Sequence, residues 1–339
     1  MHPHKTSQHR RSLLAVGLGT GLGAGLGTLA LPGRGLAQTE WPKAGPVKLV
    51  VPFTAGSGTD IVARTLAEKL GPLIGAQVLV DNKPGAGGTL GAAQVAKAAP
   101  DGYTLLIHSS GHLVNPALYP RLSYDTLKDF EGITTLASLP NVLVVNPGKG
   151  YKDVADLVAR VLAKPGVFNY ASAGNGSATH MNAEQFRVAA GISAQHVPFR
   201  GTPEALSETM AGRIDWFFAP LISALPLIKE GKLQALAVGT AARSPVLPNV
   251  PSITETAALK DAAYTFWVGL FATARTPRLV VEKLHTETLK VLALPDVKER
   301  LEKLGAAPMA MAQAAFAKFL EDETAAAARL VKTSGIKVE

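Results

Sequence analysis

Three glycine-rich stretches hold most of the residues in this chain that could do chemistry. The first reads Phe53, Thr54, Ala55, Gly56, Ser57, Gly58, Thr59, Asp60. The second reads Asn82, Lys83, Pro84, Gly85, Ala86, Gly87, Gly88, Thr89, and the third covers 170–180 with Ser172, Gly174, Gly176, Ser177, Thr179 and His180. Glycine lets backbone N–H groups face a ligand with no Cβ in the way, and a helix opening directly after the loop adds the positive end of its dipole. The chemistry favoured is the holding of an anion, phosphate or carboxylate. The bland alternative is an ordinary strand-to-helix turn whose Ser, Thr and Asp only cap the helix. Because the first and third loops fall in different halves of the chain, both readings stand level.

Sharper motifs fail against these loops. None matches G-x-x-x-x-G-K-[ST], which argues against a P-loop nucleotidase. None completes G-x-G-x-x-G, because the last position is Ile61, Leu90 or Thr179. G-x-S-x-G and H-E-x-x-H are absent, which argues against an α/β-hydrolase and a zincin. His108 and His112 have i,i+4 spacing, but Ser109, Ser110 and Gly111 between them favour a loop, and no carboxylate neighbours them to complete a metal site. His180 and His196 read as packed rather than catalytic. Asp60 suits the first turn of a helix, Asp215 a turn or hinge, and Arg200 either an exposed position or a bidentate clamp on a carboxylate. The enzymatic alternative is a secreted serine hydrolase pairing Ser109 or Ser177 with His180 or His108, and it lacks an orienting third group. No catalytic residue, metal or cofactor is expected.

The elements that must position these loops alternate. β-rich runs fall at 47–53, 77–80, 103–108, 142–145, 168–171, 214–218, 233–238 and 266–271, with helical spacing between them. That pattern predicts an α/β fold with mostly parallel sheets, followed by three helices at 277–292, 295–304 and 312–332. A length of 339 residues with 47% hydrophobic content suits two domains. The absence of cysteine excludes disulfides, zinc ribbons, iron–sulfur clusters and a cysteine nucleophile.

The net charge of +8 is mostly a property of the first 37 residues, which hold Lys5, Arg10, Arg11 and Arg34 and no acid. The remaining 30 bases face 26 acids with no basic run, so no nucleic-acid partner is expected. Residues 12–31 are uncharged, and Gly35 and Ala37 supply small residues for cleavage after Ala37. This is the order of an export signal over 1–37, by the twin-arginine or the Sec route, and it predicts a periplasmic protein beginning at Gln38.

A set of motifs carries a family resemblance. Val50, Val51, Pro52 and Phe53 precede Ala55, Gly56 and Asp60; Asp81 to Gly88 follow; then come Ala99, Pro100, Asp101, Gly102, Tyr103, Thr104 and Leu105. Asn115 and Pro116, Leu118 and Tyr119, Tyr124 and Asp125, Lys128 to Phe130, the 170–180 loop, Val197 to Gly201 and Gly212 to Asp215 close the set. Together, over roughly residues 44–335, they resemble the Bug/TctC family, the extracytoplasmic solute receptors of tripartite tricarboxylate transporters. The resemblance implies a two-lobed, type II periplasmic-binding-protein-like fold with an interlobe ligand cleft. Lobe 1 would comprise 41–139 plus 264–339, and lobe 2 would comprise 140–263. It implies capture of a small organic carboxylate (a di- or tricarboxylate, an acidic amino acid or an aromatic acid) by a monomer. Delivery would be to membrane permease subunits like TctA and TctB, or to a sensor protein in a receptor without a transport role. The loops around Phe53, Thr54, Gly56, Ser57, Gly58, Thr59 and Asp60, around Ser109, Ser110 and Gly111, and around Ser172, Gly174, Gly176, Ser177, Thr179 and His180 would surround the ligand, with Phe199 and Arg200 beside them. Ser57 stands where many members have glycine, and Arg200 where lysine is commoner.

Overall fold

The computed structural model describes residues 41–264 and 266–337. The expected export signal and its cleavage site lie outside the described residues. In chain order the strands are β1 (Val47–Val51), β2 (Val78–Asn82), β3 (Thr104–Ser109), β4 (Phe130–Ser138), β5 (Asn141–Val145), β6 (Asn169–Ser172), β7 (Gln195–Pro198), β8 (Trp216–Pro220), β9 (Gln234–Val238), β10 (Trp267–Thr273) and β11 (Ala307–Pro308). The helices are α1 (Gly58–Ile74), α2 (Thr89–Ala96), α3 (Asn115–Leu118), α4 (Val154–Ala163), α5 (Ala178–Ala190), α6 (Thr202–Met210), α7 (Leu221–Lys229), α8 (Arg278–Ala293), α9 (Pro295–Lys303) and α10 (Gln313–Ser334).

Two sheets form, in the orders β11-β4-β10-β3-β1-β2 and β7-β6-β8-β5-β9. β1 shows why its residues make a central strand: Val47, Leu49, Val50 and Val51 are all buried, as a strand covered on both faces requires. α1 covers one face, laying Val62, Leu66 and Leu70 on the first sheet's core at helical spacing. Ser57 caps its start and Gly75, in the left-handed region at φ 71°, closes its end.

The sheets are mixed, which corrects the expectation of mostly parallel pairing. β1 pairs parallel with β2 and β3, and β6 with β7 and β8. β10 runs antiparallel between β3 and β4, and β5 antiparallel between β8 and β9. The cause is the crossing between sheets. The chain leaves the first sheet along β4, enters the second at β5 after two residues, Leu139 and Pro140, and returns along β10. Exit and return lie side by side, Ser138 opposite Trp267 with the Leu139 N–H donating to the Phe266 carbonyl at 2.8 Å. A chain that leaves and re-enters across one border must run antiparallel to its own exit.

α10 spans both halves. Phe316 and Leu320 pack with Trp267 and Phe271 of the first sheet, while Arg187 of α5 donates to the Ser334 carbonyl at its far end at 2.7 Å. Among the described residues no helix is long and apolar enough to cross a membrane.

Candidate ligand site

Two helix starts from different sheets meet at one point, and they are built alike. Across the start of α1 the chain reads Gly56, Ser57, Gly58, Thr59, Asp60; across the start of α5 it reads Gly176, Ser177, Ala178, Thr179, His180. Gly56 at φ 85° and Gly176 at φ 74° occupy the left-handed region that glycine tolerates. Each is followed by a serine cap: Ser57 Oγ accepts from the Asp60 N–H at 3.4 Å, and Ser177 Oγ accepts from the His180 N–H at 3.3 Å. The Gly56 N–H donates to Asp60 Oδ2 at 2.8 Å, and the Gly176 N–H donates to His180 Nδ1 at 3.1 Å. The two loops therefore share one device, a fifth-position side chain that folds back onto the glycine amide. The repeated pattern of Gly, Ser, a small residue and Thr is the signal of this device in the sequence.

Between these helix starts lies an inner pocket lined by Phe53, Ser57, Gly58, Thr59, Ser109, Ala173, Ser177, Ala178, Thr179, Thr202, Pro220 and Phe266. It is narrow, about 10 Å³, close to the size that admits one water. Its lining carries no charged side chain. What it offers an anion is donors: the first N–H groups of α1 and α5, which have no partner within their helices, and the serine and threonine hydroxyls. Ser109 is 1% exposed, and its Oγ has no hydrogen-bond partner among the described residues.

The other expected site residues take different places. Gly174, Phe199 and Arg200 line a wider chamber of about 410 Å³ with Gly85, Ala86, Gly87, Ala173, Asn175, Pro198 and Glu204. Ser110 faces away from the inner pocket, into a separate cavity of about 190 Å³ with Tyr264 and Glu323. Ser172 is fully buried, its hydroxyl bonded to the Gly174 N–H at 3.0 Å and to His196 Nε2 at 2.6 Å, so it shapes the loop from behind. Gly111 is a point of close approach: a Cβ there would sit 2.7 Å from the Gly176 carbonyl oxygen.

Asp60 and His180 are buried and work as loop holders. Asp60 also accepts from Arg64 Nε at 2.9 Å and from Asn82 Nδ2 at 2.9 Å. Burial alone would raise its carboxyl, but the bonds from Arg64, Gly56 and Asn82 outweigh it and hold it below its usual range. The His180 ring stacks on His196 at 3.8 Å, and both on the Tyr170 side. Burial, aided by the Arg187 charge, pushes His180 down to about 3, so its ring is neutral and free to accept the Gly176 N–H. Among the described residues neither the Ser109 nor the Ser177 hydroxyl is bonded to a histidine ring: His108 Nδ1 contacts the Ser109 carbonyl, and Ser177 Oγ meets the His180 backbone N–H and Thr179 Oγ1. His108 and His112 sit fully buried among Phe53, Tyr124, Phe130 and Phe271. Among the described residues no group of three or more metal-ligating side chains forms.

Elements of the two sheets touch around the pocket. Thr54 Oγ1 donates to Glu204 Oε2 at 3.0 Å, Ser223 Oγ to the Gly56 carbonyl at 3.2 Å, and Tyr119 OH to the Asn175 carbonyl at 3.1 Å. Glu204, Thr202, Pro220, Phe266 and Tyr119 were not singled out as site residues from the sequence. They sit in helices and strand ends whose composition is ordinary, and only the packing of one sheet's elements on the other brings them here.

Residues 62–336 match the profile of the tripartite tricarboxylate transporter family receptor, TctC. A relative from Pseudomonas sp. strain P51, the UPF0065 protein in the tcbD-tcbE intergenic region, is 39% identical over 82% of this chain and 83% of its own. Two solved structures from Rhodopseudomonas palustris are similar throughout. Rpa4515 with adipate has a TM-score of 0.84 and 31% identity, covering 88% of this chain and 99% of its own. MatC with bound malate has a TM-score of 0.81 and 32% identity, covering 85% and 99%.

Proposed function

The chain belongs to the tripartite tricarboxylate transporter receptor family, whose members are periplasmic solute-binding proteins rather than enzymes, and from that premise we propose that its inner pocket captures one carboxylate of a small organic acid. The observation that carries this reading is the convergence of two serine-capped helix starts, one from each sheet, on a pocket lined by neutral donors. A carboxylate accepts up to about four hydrogen bonds and gains from each dipole, without the desolvation cost of burying an opposing charge. The adipate and malate carried by the two similar structures support the same chemistry.

In this reading 41–139 with 264–339, and 140–263, act as two lobes hinged at Leu139 and Pro140 and at the return into β10. The inner pocket is too narrow to admit a ligand from solvent, so entry requires the walls to part, and the bound acid then draws them together. Residues 1–37 direct export and are cleaved from the mature protein, and the loaded protein hands its ligand to a membrane permease. Isothermal titration of the purified protein with adipate, malate, succinate, citrate, glutamate and benzoate tests the proposal. Saturable binding of a carboxylate at micromolar concentration or tighter is the expected result. A tightest ligand that is neutral or cationic would overturn it.

A further inference from the structure

The inner pocket adjoins the wider chamber, and Ala173 lines both. The two spaces differ in chemistry. No charged group lines the inner one, whereas the chamber carries one side chain of each sign, Arg200 and Glu204. Glu204 lies in the first turn of α6, and one of its oxygens, Oε2, accepts from Thr54 Oγ1. Its second oxygen has no hydrogen-bond partner among the described residues. Arg200 is exposed in the bend between β7 and that helix, and it too makes no hydrogen bond or ion pair among the described residues. An acid whose first carboxylate is held in the inner pocket has room to extend its remaining end past Ala173 into the chamber that carries this pair.

Resting on the carboxylate reading above, we propose that the chamber is a subsite for a zwitterionic end group, an ammonium taken by Glu204 and a second carboxylate taken by Arg200. The ligand class is then an acidic amino acid rather than the matching dicarboxylate. A bare dicarboxylate brings its second negative charge beside the Glu204 carboxylate, where like charges repel. An α-amino dicarboxylate brings a cation to the same place and can still reach the planar fork of Arg200. Glu204 makes the discrimination and Arg200 anchors the end group.

The test compares matched pairs that differ only in the amine: succinate with aspartate, glutarate with glutamate, and adipate with 2-aminoadipate. Isothermal titration of the wild-type protein should show the amino member of at least one pair binding about ten- to hundredfold tighter than its partner, the range of a charge-assisted hydrogen bond. Glu204→Gln keeps an acceptor for Thr54 while removing the charge. It should abolish that preference, weakening the amino acid and leaving or strengthening the dicarboxylate. A measurement without any variant uses N-acetylglutamate, which keeps both carboxylates and loses the cation, and it should bind at least tenfold more weakly than glutamate. Dicarboxylates binding as tightly as their amino partners in every pair would overturn the inference while leaving the carboxylate reading intact. So would a Glu204→Gln variant that weakens both members of a pair equally, because Glu204 would then only fasten Thr54. Binding of no carboxylate at all would remove the reading and the inference together.

Discussion

Asp60 and His180 hold equivalent glycine amides, yet they answer to acid differently, and that difference is testable residue by residue. Removing the His180 ring leaves the buried Gly176 N–H without its acceptor, at a cost of about 1–3 kcal/mol. His180→Ala should lower the urea midpoint accordingly, and His180→Asn, whose side-chain oxygen can still accept, should lower it less. The capping serines report on the ligand instead. Ser57→Ala or Ser177→Ala removes a hydroxyl from the pocket, and the loss of a bond to a charged acceptor, roughly 1.5–3 kcal/mol, predicts a ten- to hundredfold weaker affinity. Titration calorimetry checks it, and unchanged affinity in the double variant would refute the site. The glycines, serines and threonines announced both loops in the sequence because their backbone and capping preferences are local. Which side chains face the pocket was not legible: Ser109 and Ser110 are neighbours, and only the packed chain turns one into the pocket and the other into a separate cavity.

Among the elements, the same distinction between local and non-local signals decides what could be read. β1, β3, β5, β8, β9 and β10 stand close to the expected runs because buried strands read as continuous apolar stretches. β4 was not legible. Its sequence, FEGITTLAS, mixes a glutamate, a glycine and two threonines into a strand that is nonetheless buried over Ile133 to Ala137 by β10, β11, α8 and α10. β7 is a half-exposed edge strand ending in Pro198, and β11 has two residues, so neither carries a hydrophobic pattern. The contact of α10 with β4 and β10 depends on Phe316, whose ring lies 3.0 Å from where a Cβ of Gly132 would stand and packs on Trp267 and Phe271. Phe316→Ala should cost about 3–5 kcal/mol by emptying that site, read as a lowered urea midpoint. A loss below about 1 kcal/mol would show that the helix is held elsewhere.

For the molecule as a whole, in the two-lobed reading proposed above, closure depends on glycines that let the two halves approach closely. A Cβ on Gly87 would stand 1.8 Å from the Asn175 carbonyl oxygen, and one on Gly201 would stand 1.9 Å from Thr54 Oγ1. Gly87→Ala should therefore keep the two halves apart at the mouth. The expected outcome is at least tenfold weaker ligand binding, with a larger ligand-saturated radius of gyration by solution X-ray scattering than the wild type. Equal radii and equal affinities would show that the cleft closes without this contact.

Whole-molecule stability should also bend with pH in a window set by four histidines, His108, His112 and His180 buried and His196 half-buried. Burial pushes His108 down to about 4 and His180 and His196 down to about 3, and it holds His112 well below its ordinary value. Unfolded, each titrates near pH 6.5. Above that pH the rings are neutral in both states, and their contribution to stability is fully present and independent of pH. As pH falls below about 6.5, the unfolded chain takes up protons that the folded chain refuses until about pH 4, so stability declines with falling pH. Each histidine contributes roughly 1.4 kcal/mol per pH unit, and four together give a slope of roughly 5 kcal/mol per unit near pH 5. Carboxylates such as Asp60, held low by its bonds to Arg64, Gly56 and Asn82, add their own loss only at lower pH, which keeps the histidine window separate. Urea midpoints measured from pH 7.5 to 5 should be level down to about 6.5 and then fall steeply. His108→Phe, which replaces a titrating ring packed against Phe53 and His112 with one that does not titrate, should remove about a quarter of the slope. A midpoint that stays level to pH 5 would mean the rings are protonated within the fold, and the neutral acceptor that holds the Gly176 amide would be lost with it.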